Sequence, residues 1–132
     1  MSGEFFDTNV VLYLLDDGPK AETAERLLGR GGIISVQVLN EALVNCRRKA
    51  EMSWDETAEF LDAVERLCTV TGLTVETHTL GRALAERYRL AVYDAMIVAA
   101  ALLAGASVLW TEDMQDGLVV EGMLTLRNPF AA

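Results

Sequence analysis

The chain has 132 residues, 52% of them hydrophobic, and a formal net charge of −9 from 11 basic and 20 acidic side chains. That length suits one packed domain, and a mean hydropathy of +0.23 excludes disorder by composition. The acid excess excludes a module that grips nucleic acid by bulk positive charge, while leaving room for an enzyme that meets nucleic acid through metal ions.

In chain order, Glu4 to Phe6 reads as a short strand, cut by the polar triplet Asp7-Thr8-Asn9. The triplet supplies helix-capping oxygens, so Val10 to Leu15 is predicted helical, ending near Asp17-Gly18. Pro19 opens a second helix with Ala21, Ala24, Leu27 and Leu28 at helical spacing, and Gly29, Gly31 and Gly32 end it. Ile33-Ile34-Ser35 is a short buried strand, and Val36 to Ala50 a helix. Ser53-Trp54-Asp55-Glu56 is a capping box that opens a helix to about Cys68. Leu73-Thr74-Val75 is predicted as the next strand, and Thr77 as the cap of a helix to about Arg89. Tyr93-Asp94 opens an apolar helix that Gly105 closes. Ser107 to Trp110 is a strand ending in Thr111-Glu112-Asp113, and Met123 to Leu126 a last strand. Strands alternating with helices predict an α/β fold in three layers, a short, mainly parallel sheet flanked by helices over residues 1–132.

The remaining composition narrows the chemistry. A single histidine, His78, excludes mechanisms that need two imidazoles, and His-rich zinc sites; a Ser/His/Asp triad would have to use it. Cys46 and Cys68 form no CxxC pair, and two free thiols suit a reducing cytoplasm. Met1-Ser2-Gly3-Glu4 lacks the basic region of a signal peptide. The longest apolar run, Ala95 to Ala104, has 10 residues, against the ~20 that span a bilayer. The expectation is a cytoplasmic protein with no membrane contact.

In parallel sheets ligands bind outside the carboxyl ends of the strands, which singles out acids placed there. Asp7 follows the first strand, Asp94 stands at the mouth of the apolar helix, and Asp113 follows the strand that ends at Trp110. Each has a plain structural use taken singly: Asp7 as a helix cap, Asp94 as a cap or a partner of the helix dipole, Asp113 in a polar turn. Glu41 lies on a helix that is apolar at Val38, Leu39, Ala42, Leu43 and Cys46, and it shares a stripe with Gln37, Asn45 and Arg48. It can equally belong to a solvated face. Together, however, the four acids fall at strand ends or on the helix after one. Their convergence would cost free energy unless divalent cations lie among them, and oxygen-only ligands select Mg²⁺ or Mn²⁺ over zinc.

At these residues the sequence resembles the PIN-domain ribonucleases, and within them the VapC-type toxins of bacterial toxin–antitoxin pairs. Phe6-Asp7-Thr8-Asn9-Val10-Val11-Leu12-Tyr13 is similar to the family's opening motif, and Ser35-Val36-Gln37-Val38-Leu39-Asn40-Glu41 to its second acidic segment. Tyr93 to Ala101 is similar to the third, and Leu109 to Gly117 to the fourth, in the same order over nearly the whole chain. The resemblance implies a compact PIN-like, Rossmann-like fold and a magnesium- or manganese-dependent endoribonuclease. Asp7, Glu41, Asp94 and Asp113 would form its acidic quartet, with Asp7 and Asp94 the principal metal ligands. Asp116 is a second candidate for the last acid. Thr8, Asn9 and Thr111 match small polar positions that would orient the ligands from behind. For the grip on RNA, Arg47, Arg48 and Lys49 end the Glu41 helix, and Arg82, Arg87 and Arg89 precede Asp94; the same charges also suit helix C-termini.

The implied partners are an RNA substrate, with transfer RNA the family-level candidate, and a cognate antitoxin. The antitoxin is expected to lay a segment with an Arg or Lys across the acidic groove. The resemblance also implies a homodimer, and the run Val10 to Leu15 with Leu27 and Leu28 carries more apolar side chains than a core this size readily hides. A PIN domain kept only for protein binding, or a housekeeping PIN nuclease without antitoxin, is the alternative within the family. A haloacid-dehalogenase phosphatase would need a second Asp where Asn9 stands, and a receiver domain would need a late Lys, whereas the last is Lys49.

Overall fold

The computed structural model describes residues 3–131. Of the sequence Met1-Ser2-Gly3-Glu4, whose lack of basic residues argued against a signal peptide, the first two residues lie outside the described ones, as does Ala132.

Strand β1 (Glu4–Phe6) sits inside a six-stranded sheet. On one side it pairs with β2 (Gly32–Ser35), which pairs with β3 (Cys68–Thr71) at the edge. On the other side lies β4 (Val108–Trp110), then β6 (Leu124–Arg127), then the two-residue β5 (Val119–Val120). All neighbours run parallel except β5 with β6. This is the expected mainly parallel α/β architecture, and it follows from the apolar runs: Phe5, Phe6, Ile34 and Leu109 are all fully buried between helical layers.

The helices are α1 (Thr8–Leu12), α2 (Pro19–Leu28), α3 (Val36–Arg48), α4 (Trp54–Leu67), α5 (Val75–Tyr88) and α6 (Val92–Leu103). Helix α6 is the apolar one, burying Ala95 and everything from Ile97 to Ala101. It packs closely on α5 at Gly81, where a methyl group would meet the Met96 sulfur. Helix α4 starts at the expected capping box of Ser53 and Glu56. No helix among the described residues is long and apolar enough to cross a membrane.

Four expectations are corrected. The third strand is Cys68–Thr71, entered directly from α4, and not Leu73-Thr74-Val75; Leu73 and Val75 are exposed, so their apolar character does not reflect burial. The cap of α5 is Thr74, whose hydroxyl and that of Thr77 each accept from the other's backbone N–H. The first helix tightens into a 3-10 turn at Tyr13–Leu15. Finally, Val10, Val11, Leu27 and Leu28 are buried within this one chain, and Tyr13 and Leu14 pack against its core. The monomer therefore hides most of the apolar surface that suggested a dimer.

A short strand β5 was not foreseen. It is joined to β6 by a turn in which Glu121 (φ 52°) and Gly122 (φ 68°) are both left-handed and the Met123 N–H bonds the Val120 carbonyl at 3.0 Å. Two consecutive positive φ angles define the type I′ turn, whose twist matches an antiparallel pair.

Gly32 opens β2 against Phe6, and a Cβ there would overlap the buried Phe6 ring. Gly32→Ala is expected to lower stability by about 1–3 kcal/mol, the range for overpacking a core. Gly72→Ala, which meets nothing within 4 Å, is expected to melt within a degree or two of wild type. Thermal denaturation followed by circular dichroism checks both, and equal melting of the two variants would refute the packing role of Gly32.

Candidate active site

Because β1, β2 and β4 are parallel, their carboxyl ends open on one edge of the sheet. The chain order reverses there, with β2 on one side of β1 and β4 on the other, and such a switch point leaves a crevice between neighbouring loops. Asp7 lies at it. Its N–H bonds the Trp110 carbonyl at 2.9 Å, extending the β1–β4 ladder by one rung.

Asp7 does cap α1, but that uses only one oxygen: Oδ1 accepts from the Thr8 N–H at 2.7 Å. Oδ2 accepts from the Thr111 hydroxyl at 2.7 Å and from the Asn9 amide at 3.3 Å. The residue is 4% exposed. Burial pushes its carboxyl up to about 6 from an ordinary 3.8, with Asp94 and Glu41 adding repulsion, and the Thr111 and Thr8 hydrogen bonds recover only part of the loss.

Asp94 is not a cap. Helix α6 is entered through Ala91, which offers no side-chain bond, and Asp94 is its third residue. Half-buried, its carboxyl is raised first by desolvation, then by the charges of Glu41 and Asp113. The four acids therefore lie within electrostatic reach: Asp7 feels Asp94 and Glu41, and Asp94 feels Glu41 and Asp113.

The small polar residues fix this arrangement. Asn9 accepts from the Glu112 N–H at 3.2 Å, which leaves its amide to donate to Asp7 and, at 3.0 Å, to Asp113. Thr8 donates its hydroxyl to Glu41 Oε1 at 2.9 Å. Gln37, one turn before Glu41 on α3, donates to Oε2 at 2.6 Å, and Asn45, one turn after, donates to the Glu41 carbonyl at 2.8 Å. The Ser35 hydroxyl caps α3 at the Val38 N–H, which anchors the helix bearing Glu41 to the end of β2. Asp116 is not brought in; it accepts from the Asn128 N–H at 2.8 Å.

A partnership absent from the sequence reading flanks the cluster. Glu112 accepts from Tyr13 at 2.7 Å and pairs with Lys20 at 2.5 Å, and Lys20 in turn faces the rings of Tyr13 and Phe130. The Lys20 bond holds the Glu112 carboxyl below its usual range. The position of Glu112 next to Asp113 was the available signal, but pairing with a residue 92 positions away is not readable from spacing.

The basic residues separate. Lys49 lines a cavity of about 430 Å³ together with Asn9, Tyr13, Asn45, Glu112 and Asp113. Arg48 is exposed on α3. Arg47, in contrast, donates to the Met52 carbonyl at 2.5 Å and stacks 4.2 Å over Trp54, and Arg87 pairs with Glu121 beside the β5–β6 turn. Both have partners within the chain, that of Arg87 at an exposed position. His78 is exposed on α5.

The donor set is all carboxylate oxygen, which fits a hard divalent cation. Among the described residues no three of the Asp, Glu, His and Cys side chains converge tightly enough to hold a metal as they stand. The fit is thus one of chemistry and charge.

A family model described as the PIN domain matches residues 5–115. No curated protein matches significantly. Among solved structures, a toxin–antitoxin complex from Klebsiella pneumoniae is similar with a TM-score of 0.75 at 20% identity, covering 98% of this chain and 99% of that one. VapBC from Salmonella typhimurium, solved bound to DNA, has a TM-score of 0.70 at 18% identity over 98% and 99%. The sarcin-ricin-loop-cleaving toxin VapC20 of Mycobacterium tuberculosis has a TM-score of 0.69 at 20% identity over 83% and 89%. At these identities the likeness is one of fold.

A raised carboxyl pKa means that ionising Asp7 opposes folding. The contribution is favourable below the unfolded value near 4 and is lost as pH rises toward about 6. In chelator, wild type is expected to lose up to about 3 kcal/mol relative to Asp7→Asn between pH 4 and 6.5, at 1.36 kcal/mol per unit. Urea titrations of both proteins across that range check it; a constant difference would refute the assignment.

Proposed function

The chain belongs to the PIN-domain family, and on that premise we propose that it is a Mg²⁺- or Mn²⁺-dependent endoribonuclease, the toxin of a toxin–antitoxin pair. One observation carries the reading: four coupled acids lie at a parallel-sheet switch point, one of them buried and forced toward neutrality. A fold needing Asp7 only as a cap would have no use for that repulsion.

In this reading Asp7 and Asp94 are the principal cation ligands, and Glu41 and Asp113 complete the site. When bound, the cation polarises the scissile phosphate and lowers the pKa of a water molecule. The protein's part is orientation. Thr8, Asn9 and Thr111 leave Asp7 little freedom to rotate, Gln37 and Thr8 together fix Glu41, and Asn9 ties Asp113 to Asp7. Lys49, lining the cavity beside Asp113, is the best-placed cation for a neighbouring phosphate; Arg48 is a weaker candidate, exposed on the same helix end. The substrate is RNA. Transfer RNA remains the family-level candidate, and the similar VapC20 is described as cutting the sarcin-ricin loop.

Asp94→Asn tests this reading. A cation that binds only the folded chain stabilises it by about 2.7 kcal/mol at a hundredfold excess over Kd, so wild type is expected to melt several degrees higher in Mn²⁺ than in chelator. Asp94→Asn is expected to melt at or above wild type in chelator, gain little from Mn²⁺ and lose RNA cleavage. Glu51→Gln, at an exposed position outside the cluster, is expected to change none of these. A wild-type Mn²⁺ response and cleavage in Asp94→Asn would reduce Asp94 to a structural residue.

Relatives of similar fold come from toxin–antitoxin complexes, which supports an antitoxin partner whose Arg or Lys enters the acidic groove. The homodimer now rests on the family alone. Light scattering of the free chain is expected to give twice 14.4 kDa, and added antitoxin to weaken Mn²⁺ binding; a monomer mass, or unchanged Mn²⁺ affinity, would refute the respective proposal.

A further inference from the structure

Tyr93 is 68% exposed in the first turn of α6, one residue before Asp94. With Gln37, Asn40, Glu41, Val44 and Asn45 of α3 it lines an open cleft of about 410 Å³. This cleft holds one wall of the acid cluster, Glu41, and is otherwise uncharged.

The lining selects what it can hold. A carboxylate without a cation in the lining repels phosphate. A flat exposed ring facing side-chain amides suits a planar, neutral, hydrogen-bonding group. The amides retain capacity: Gln37 and Asn45 use their nitrogens on Glu41, which leaves both side-chain carbonyls free to accept, and Asn40 is exposed at the rim. Asn45 also lines the neighbouring cavity that contains Lys49 and Asp113. The two cavities thus follow one another along α3, the one without a cation on the Tyr93 side and the one with Lys49 on the other.

We propose that the cleft between Tyr93 and α3 is a nucleobase subsite, which seats one unpaired base of the RNA next to the scissile phosphate. It rests on the nuclease reading above and favours RNA with an unstacked nucleotide at the cut, since a paired base reaches an aromatic ring only after paying for unpairing and unstacking. Tyr93 supplies the stacking face, and Gln37, Asn40 and Asn45 read the base edge. Tyr93 is a binding residue here and takes no part in the proton transfers.

The test is cleavage in Mn²⁺ of a stem-loop ribo-oligonucleotide in which an abasic site is moved one position at a time through the loop. For wild type, one position adjoining the cut is expected to raise KM about 5- to 150-fold, the worth of one base–aromatic stack, with a smaller change in kcat. Tyr93→Ala is expected to raise KM by a similar factor on the intact RNA and to lose its sensitivity to that abasic site. Tyr93→Phe keeps the ring and is expected to behave as wild type, and the Mn²⁺-induced rise in melting temperature is expected to persist in both variants. If Tyr93→Ala cuts with wild-type KM, or remains sensitive to the same abasic site, the subsite is overturned while the nuclease reading stands, even if the variant weakens binding of a protein partner. If wild type cuts no RNA in Mn²⁺, the nuclease reading falls and the subsite with it.

Discussion

The arrangement depends on one buried charge. Asp7 sits where β1 and β4 part, 4% exposed, with three donors on its two oxygens. Those bonds do not fully replace water, because the carboxyl is still pushed up to about 6. Much of the neighbourhood follows from that deficit. Thr111 reaches Oδ2 from the residue after β4, where the register of β4 against β1, matching Phe6 with Trp110, places it. The sheet register and the orientation of the carboxylate are therefore the same constraint.

Helix α3 solves a second problem, that of presenting a carboxylate from a face whose neighbours are apolar. Gln37, Glu41 and Asn45 recur every four residues, so they form one polar ridge. On one side Val38 and Ala42 enter the core; the ridge itself stays at the crevice. Thr8 meets the ridge from α1, so the two helices that follow β1 and β2 are joined through Glu41. Charge is managed locally as well. Of the basic side chains, Arg47 and Arg87 serve loops and Lys20 serves Glu112, which leaves Lys49, in the cavity beside Asp113, as the cation nearest the acid cluster among the described residues.

What was readable in the sequence was whatever local chemistry determines. The Pro19 start, the Ser53–Glu56 box and the apolar α6 each carry their own signal, and the acids were found because strand ends are recognisable. Thr8, Asn9 and Thr111 were readable as orienting residues only through the resemblance. The failures have physical causes. β3 follows α4 with no turn residue between them, so the boundary was assigned to the next apolar group, Leu73 and Val75, which solvent in fact covers. The β5–β6 turn uses Glu121-Gly122 where Asn-Gly would have announced it. Of the two plain uses of Asp94, the cap falls to Ala91, while its place in the first turn of α6 still suits the helix dipole. Arg47 and Arg87 looked free because their partners, a carbonyl and a glutamate 34 positions away, are set by tertiary structure.

The Thr111 hydroxyl lies 104 residues along the chain from the carboxylate it binds, and so does Asp113 from Asn9. On the ribosome, Asp7 emerges first and waits. Three of the four acids are translated before β4 exists, and a nascent chain ending at Gly105 holds Asp7 with no strand β4 to close over it. Contacts of such long range form late in folding. The acid cluster thus cannot precede near-complete synthesis, and under the nuclease reading the growing chain stays inactive until then.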